Sequence, residues 1–259
     1  MAIPQSKKIL QYVALVYLLS LPFWTLSHFI DLTGKIPINL PLSALMLLCP
    51  TLAALILMYR NSGFNIFPKL QLKRIFDFYR IKNRIWLLPV FILVPMTMIV
   101  TFFFMKFCNI YIPPFNTPLL DVLLLFVLFF IGAVFEEFGW TGFITEPMVN
   151  NWGILKTGVI LGSVWAIWHI IPFLQAGRST SWIIWQCLAT IFLRIIMVQL
   201  YFSTGKSLFA IIIVHMTINM SEFLFPSYGS HYNPFYFAAI LIFPAIMLLI
   251  LTRRNTISF

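Results

Sequence analysis

Glu136 and Glu137 stand side by side at the end of a long apolar run, in a chain of 259 residues that holds only seven acidic side chains. Later apolar runs carry His169, His215 and Asn219. Peptide hydrolysis calls for such residue types: a base to deprotonate water, and donors aimed at the oxyanion of the tetrahedral intermediate. A carboxylate in low-dielectric surroundings suits the first task, and Glu136 is the candidate, with His169 holding the same water. His215 and Asn219 are four residues apart, so they share one helix face and can supply the donors. Trp165 and His169 have the same spacing. Adjacent helical positions point about 100° apart, so Glu136 and Glu137 have different tasks. That of Glu137 is to orient the site or hold a neighbouring helix.

An ionisable side chain at the centre of a membrane span costs roughly 2.5 to 3.5 kcal/mol on insertion scales, so each one that stays calls for a partner or a function. Here the set is Glu136, Glu137, His169, Arg194, His215 and Glu222, with Asp121 near the end of its span. Glu222 falls near the stripe that His215 and Asn219 define. Arg194 is the one intramembrane cation, and Glu137 and Glu222 are its candidate partners. His28 and His231 fall at span edges, as do Trp24, Trp86, Trp152 and Trp182, where an interfacial position accounts for them.

Glu136, His169 and His215 would also make a zinc-type set, two imidazoles and a carboxylate with a position left for water. The residue types leave metal-free hydrolysis and a divalent metal such as zinc both open. No HExxH or GxGD motif is present, and Gly162-Ser163 beside His169 is not the GxSG of rhomboid proteases.

The elements that must position these groups are membrane helices. The chain is 61% hydrophobic and 9% charged, with a mean hydropathy of +0.96, and a span needs about 20 apolar residues because backbone amides cannot stay unpaired in lipid. Eight stretches qualify: Ile9 to Ile30, Leu40 to Tyr59, Ile85 to Phe107, Leu119 to Phe135, Ile154 to Leu174, Trp182 to Ser203, Ser207 to Phe225 and Pro234 to Thr252. The expectation is an all-α polytopic bundle forming a single transmembrane domain over 1–259, with its chemistry in 118–225. Ile9 to Ile30 is too long for a signal peptide and lacks a small-residue cleavage site, so it reads as a retained anchor. Cys49, Cys108 and Cys187 are scattered without CxxC pairing and read as packing residues.

Net charge is +10, which could suggest nucleic acid, but its distribution follows the membrane instead. With the amino terminus cytoplasmic, thirteen of the 17 Lys and Arg residues fall at cytoplasmic ends and loops, against Lys35, Lys106 and Arg178 outside. That bias puts both termini in the cytoplasm. Between Arg60 and Arg84, basic residues alternate with Phe67, Leu70, Leu72, Ile75, Phe76 and Tyr79, a pattern that fits an ordinary cytoplasmic loop and equally a segment lying on anionic lipid. Depth adds one more expectation. Glu136 meets the histidines near mid-membrane only if the fourth helix continues through Trp140 and Phe143 and ends near Pro147.

Three short motifs in order, Glu136-Glu137-Phe138-Gly139-Trp140-Thr141, Trp165-Ala166-Ile167-Trp168-His169 and His215-Met216-Thr217-Ile218-Asn219, resemble the signatures of the CPBP (CAAX-processing and bacteriocin-processing, or Abi) intramembrane proteases. The family pattern is Glu-Glu-x-x-x-Arg, aromatic-x-x-x-His and His-x-x-x-Asn. The resemblance implies eight helices with the signatures on the fourth, fifth and seventh, and catalysis by Glu136, Glu137, His169, His215 and Asn219. Two positions depart from it: Trp165 stands where Phe is usual, and Thr141 stands where the motif has arginine.

The implied substrate is a peptide bond in a membrane-associated protein or peptide, reached from the cytoplasmic side where the basic loops lie. The implied partners are membrane lipids and that substrate. A bacterial plasma membrane fits the abundance of Phe, Ile and Leu. The rival reading, kept open by Thr141, is an inactive relative serving as a bacteriocin immunity or membrane scaffold protein. A proton-relaying transporter is disfavoured by the absence of a repeat with broken helices.

Overall fold

A computed structural model describes residues 5–30, 41–62 and 72–256. Lys35, and Phe67, Lys69 and Leu70 of the basic loop, lie outside the described residues. Among those described, the chain is helical with no strand. Among the described residues eight long helices follow one another: α1 (Gln5–Phe29), α2 (Cys49–Ser62, entered through a 3-10 turn at Leu42–Leu48), α3 (Leu87–Phe107), α4 (Leu119–Gly139), α5 (Glu146–Gln175), α6 (Thr180–Ser203), α7 (Leu208–Leu224) and α8 (Pro234–Thr256). These are the eight segments expected from hydropathy. Six candidate spans satisfy length and composition, one of them the 57-residue run Leu119–Gln175, and α7 is a shorter apolar helix.

That long run explains how Glu136 reaches the interior. A π-helical turn, Trp140–Thr145, joins α4 to α5 without a loop, and Thr145 Oγ1 donates to Trp140 O at 2.7 Å, five residues back. The helical path therefore continues past Phe135, through Trp140 and Phe143, and turns only at Gly153, whose φ of 75° breaks the helix. The expected extension of the fourth helix is present and runs beyond Pro147. Just before the π turn, Gly139 lets the backbone approach α1 and α2: a Cβ there would lie 2.3 Å from both Pro50 O and the Tyr12 hydroxyl.

Burial follows from helix packing in lipid, where association rests on close contact rather than on exclusion of water. On α1 the stripe Ile9, Tyr12, Val16, Ser20 and Trp24 is buried at three- and four-residue spacing, while Leu10, Leu18, Leu21 and Leu26 face outward. A second close seam joins α5 to α6 through Gly158 and Gly162. An added Cβ would meet Ile195 Cα at 2.8 Å and Ile191 Cα at 2.9 Å, and Arg194 Cβ at 3.1 Å. This small-residue pair brings the backbone of Trp165 and His169 against the helix that carries Arg194.

The end of the bundle bearing the described termini is tied by polar groups. Asp77 Oδ1 accepts from Ser207 Oγ at 2.8 Å and from Phe209 N at 3.1 Å, and Oδ2 accepts from Leu208 N at 3.3 Å, capping α7. Beside it, Glu146 accepts from Tyr201 Oη at 2.8 Å and from Lys206 Nζ at 2.7 Å, while Arg74 donates to Lys206 O at 3.1 Å. The start of α5, the α6–α7 turn and the segment before α3 are thereby held together.

Candidate active site

Glu137 is fully buried and accepts four hydrogen bonds or ion-pair contacts. Arg194 grips it with both terminal nitrogens, Nη1 to Oε2 at 2.9 Å and Nη2 to Oε1 at 3.1 Å. His215 Nδ1 lies 2.8 Å from Oε1, and Thr141 Oγ1 donates to Oε2. Of the two partners considered for Arg194, the geometry selects Glu137. Thr141, one turn along α4, supplies a hydroxyl where the family pattern has a cation, and the cation comes from α6.

Glu136 points elsewhere, as adjacent helical positions require. Its Oε2 accepts from Trp165 Nε1 at 2.8 Å, and it is 7% exposed. The same tryptophan sets His169: His169 Nδ1 lies 2.9 Å from Trp165 O, and since a carbonyl can only accept, Nδ1 carries the proton and Nε2 presents a lone pair. The His169 ring packs edge-on against Trp165 and Trp168 and stacks on Phe173. Trp165 also meets the His215 ring edge-on at 5.1 Å, and the Arg194 guanidinium lies 4.2 Å from its ring centroid. One indole therefore touches Glu136, His169, His215 and Arg194.

Trp165 stands where the family pattern has Phe. Its N–H is what a phenylalanine would lack, and nothing in helical spacing shows where that N–H points. Asn219 lies one turn beyond His215 on α7 and is half-buried, with no hydrogen bond to the other site residues among those described. Glu222 continues that stripe and accepts from Gln186 Nε2 at 3.2 Å, with Tyr232 Oη donating to Gln186 Oε1 at 2.9 Å.

Tyr12, Trp140, Ile144, Leu200 and Tyr201 are fully buried, whereas His169, Asn219, Phe173, Trp182 and Glu222 are half-buried.

Among the described residues, no three His, Cys, Asp or Glu side chains are grouped as metal ligands. Glu136, His169 and His215 each contact Trp165, and with the Nδ1 of each histidine engaged by Trp165 O or Glu137 it is Nε2 that each would present to water or to a metal.

An all-helical membrane bundle with one carboxylate oriented by indole and a second locked by guanidinium and imidazole is the class of protein this fold and site define. Residues 118–221 match the type II CAAX prenyl endopeptidase Rce1-like family. A CAAX prenyl protease 2 of Methanococcus maripaludis is 26% identical over 117 residues, covering 42% of this chain and 42% of that protein. Over this segment the chain is similar to the CPBP family. The match to that relative spans less than half of its length, and the family match over 118–221 contains the paired glutamates, His169, His215 and Asn219.

Proposed function

We propose that the chain is an intramembrane endopeptidase that hydrolyses a peptide bond in a membrane-associated protein or peptide. The observation that carries this reading is the shared orientation of Glu136 and His169 by Trp165, at 2.8 and 2.9 Å. Glu136 takes a proton from water, and His169 Nε2 accepts a hydrogen bond from the same water and fixes its direction of attack. The oxyanion forms near α7, where the Asn219 amide donates to it. His215, with Nδ1 on Glu137, adds its Nε2–H in the imidazolium form. The proton held by Glu136 then passes to the leaving amine.

Glu137 is a positioning residue: it holds His215 in place, and Arg194 and Thr141 hold Glu137. Arg194 supports the active reading over the immunity or scaffold reading, because the cation missing at 141 is present in the same cluster. No step is routed through a metal. The concentration of basic residues at the terminus-bearing end supports cytoplasmic termini in a plasma membrane.

The test is cleavage of membrane peptides by the purified chain in liposomes, beside Glu136→Gln. Cleavage by the first and none by the second is expected. Equal cleavage by both, or cleavage by neither, removes the proposal.

A further inference from the structure

Glu222 is an ionisable group inside the bundle that the hydrolytic scheme does not use. It lies three residues beyond Asn219, about 4.5 Å further along the α7 axis and near the same stripe as His215. A carboxylate at this depth is costly unless something answers its charge. Among the described residues no cation stands within 4 Å of it, and its one hydrogen-bond donor is the neutral amide of Gln186. Gln186 cannot swing away to solvate it differently, because the buried Tyr232 hydroxyl holds the other end of that amide. The carboxylate is thus held in a set direction by a buried amide.

The wall beside it already accommodates a cation. Arg178 lies 4.7 Å from the centroid of the Trp182 ring and acts on Glu222 electrostatically from beyond ion-pair distance. Trp182 packs on Phe173 at 5.2 Å, and Phe173 stacks on His169 at 5.7 Å. A run of aromatic rings, edge-on at the Phe173–Trp182 and Trp182–Tyr232 contacts, therefore leads from the catalytic imidazole to Gln186, which holds the carboxylate. Aromatic faces with a carboxylate at the end are suited to a long side chain with an apolar stem and a positive head.

We propose that Glu222, steered by Gln186 and Tyr232 and flanked by Trp182, forms a subsite for a lysine or arginine side chain of the peptide substrate. An extended peptide advances about 3.3 Å per residue, so a carbonyl held at Asn219 puts this subsite within about two residues of the cleaved bond. The inference rests on the peptidase reading for its substrate, and its test is a binding measurement that needs no turnover.

The full chain carrying Glu136→Gln is placed in phosphatidylglycerol nanodiscs, which supply no lipid ammonium group. The probes are apolar peptides in which one lysine is scanned along the length, each paired with a norleucine control. At the best position lysine should bind about ten-fold tighter than norleucine, a gap that Glu222→Gln abolishes and Glu222→Lys turns into preference for glutamate. Gln186→Leu, which leaves the carboxylate in place but unsteered, should shrink the gap. Equal binding of lysine and norleucine peptides at every position, or a gap that survives Glu222→Gln in folded protein, overturns the proposal. Cleavage of the same peptides with Glu136 intact reports separately on the peptidase reading: selective binding without cleavage contradicts that reading and leaves the subsite standing.

Discussion

Arg194 and Glu137, 57 residues apart on α6 and α4, form a bidentate ion pair in which neither side chain has any exposed surface. The pair sits between Trp165, whose face the guanidinium covers, and His215, which shares the carboxylate. A cation that the family pattern puts on the same helix as the glutamates is here delivered by a different helix. The result ties α4, α6 and α7 at a single point.

Breaking that pair from one side should cost more than removing it whole. An unpaired buried charge costs about 3–5 kcal/mol, whereas an apolar replacement of both partners is often neutral. Arg194→Met alone should therefore lower the thermal midpoint in detergent further than Arg194→Met with Glu137→Met. Peptide cleavage should fall in both, because the double variant removes the Glu137 carboxylate that anchors His215 and Arg194→Met leaves that carboxylate without its guanidinium. A double variant less stable than the Arg194 single would contradict the coupling.

Trp165→Phe restores the aromatic residue usual in the family and removes one hydrogen bond. The lost N–H leaves Glu136 Oε2 without its partner, at a cost to stability of about 1–3 kcal/mol. Turnover should fall by roughly ten-fold or more with KM little changed, since the bond orients the base rather than the substrate. Steady-state kinetics separates the two parameters.

Hydropathy makes the eight helices legible, because lipid demands about 20 apolar residues from every crossing. Helical spacing pairs His215 with Asn219, sets Glu136 and Glu137 apart and reduces the partners of Arg194 to two. It goes no further, since spacing gives a face of one helix but not which neighbour that face meets. The Trp165 N–H, the amide of Gln186 and the hydroxyl of Tyr232 are single atoms whose partners depend on that neighbour. The π turn at Trp140–Thr145 left no sequence signal beyond the need to bring Glu136 inward. Gly158 and Gly162 form a four-residue pair of small residues, a packing signal present in the sequence itself.

That glycine seam offers a direct check of the packing. In Gly162→Ala the new methyl meets the Ile191 Cα at 2.9 Å, and main chain cannot rotate away as a side chain can. Overpacking of this kind costs about 1–3 kcal/mol. The thermal midpoint should drop, and α5 should shift relative to Arg194, so cleavage should fall with it.

Asp77→Ala removes three hydrogen bonds at the start of α7, including two backbone donors. Loss of a cap costs about 0.5–2 kcal/mol. Hydrogen exchange should quicken in the first turn of α7 while the Glu137 cluster, two turns further in, stays protected. Faster exchange throughout α7 would show that the cap also holds the catalytic half.

Glu136→Gln keeps the shape and the Trp165 hydrogen bond and removes only the base, which makes it the most direct measurement of the central claim. With the chain in liposomes and membrane peptides as substrate, cleavage should fall by a factor on the order of 10² or more while the thermal midpoint stays near that of the parent. Cleavage at the parental rate by a folded Glu136→Gln protein would contradict Glu136 as the group that activates water.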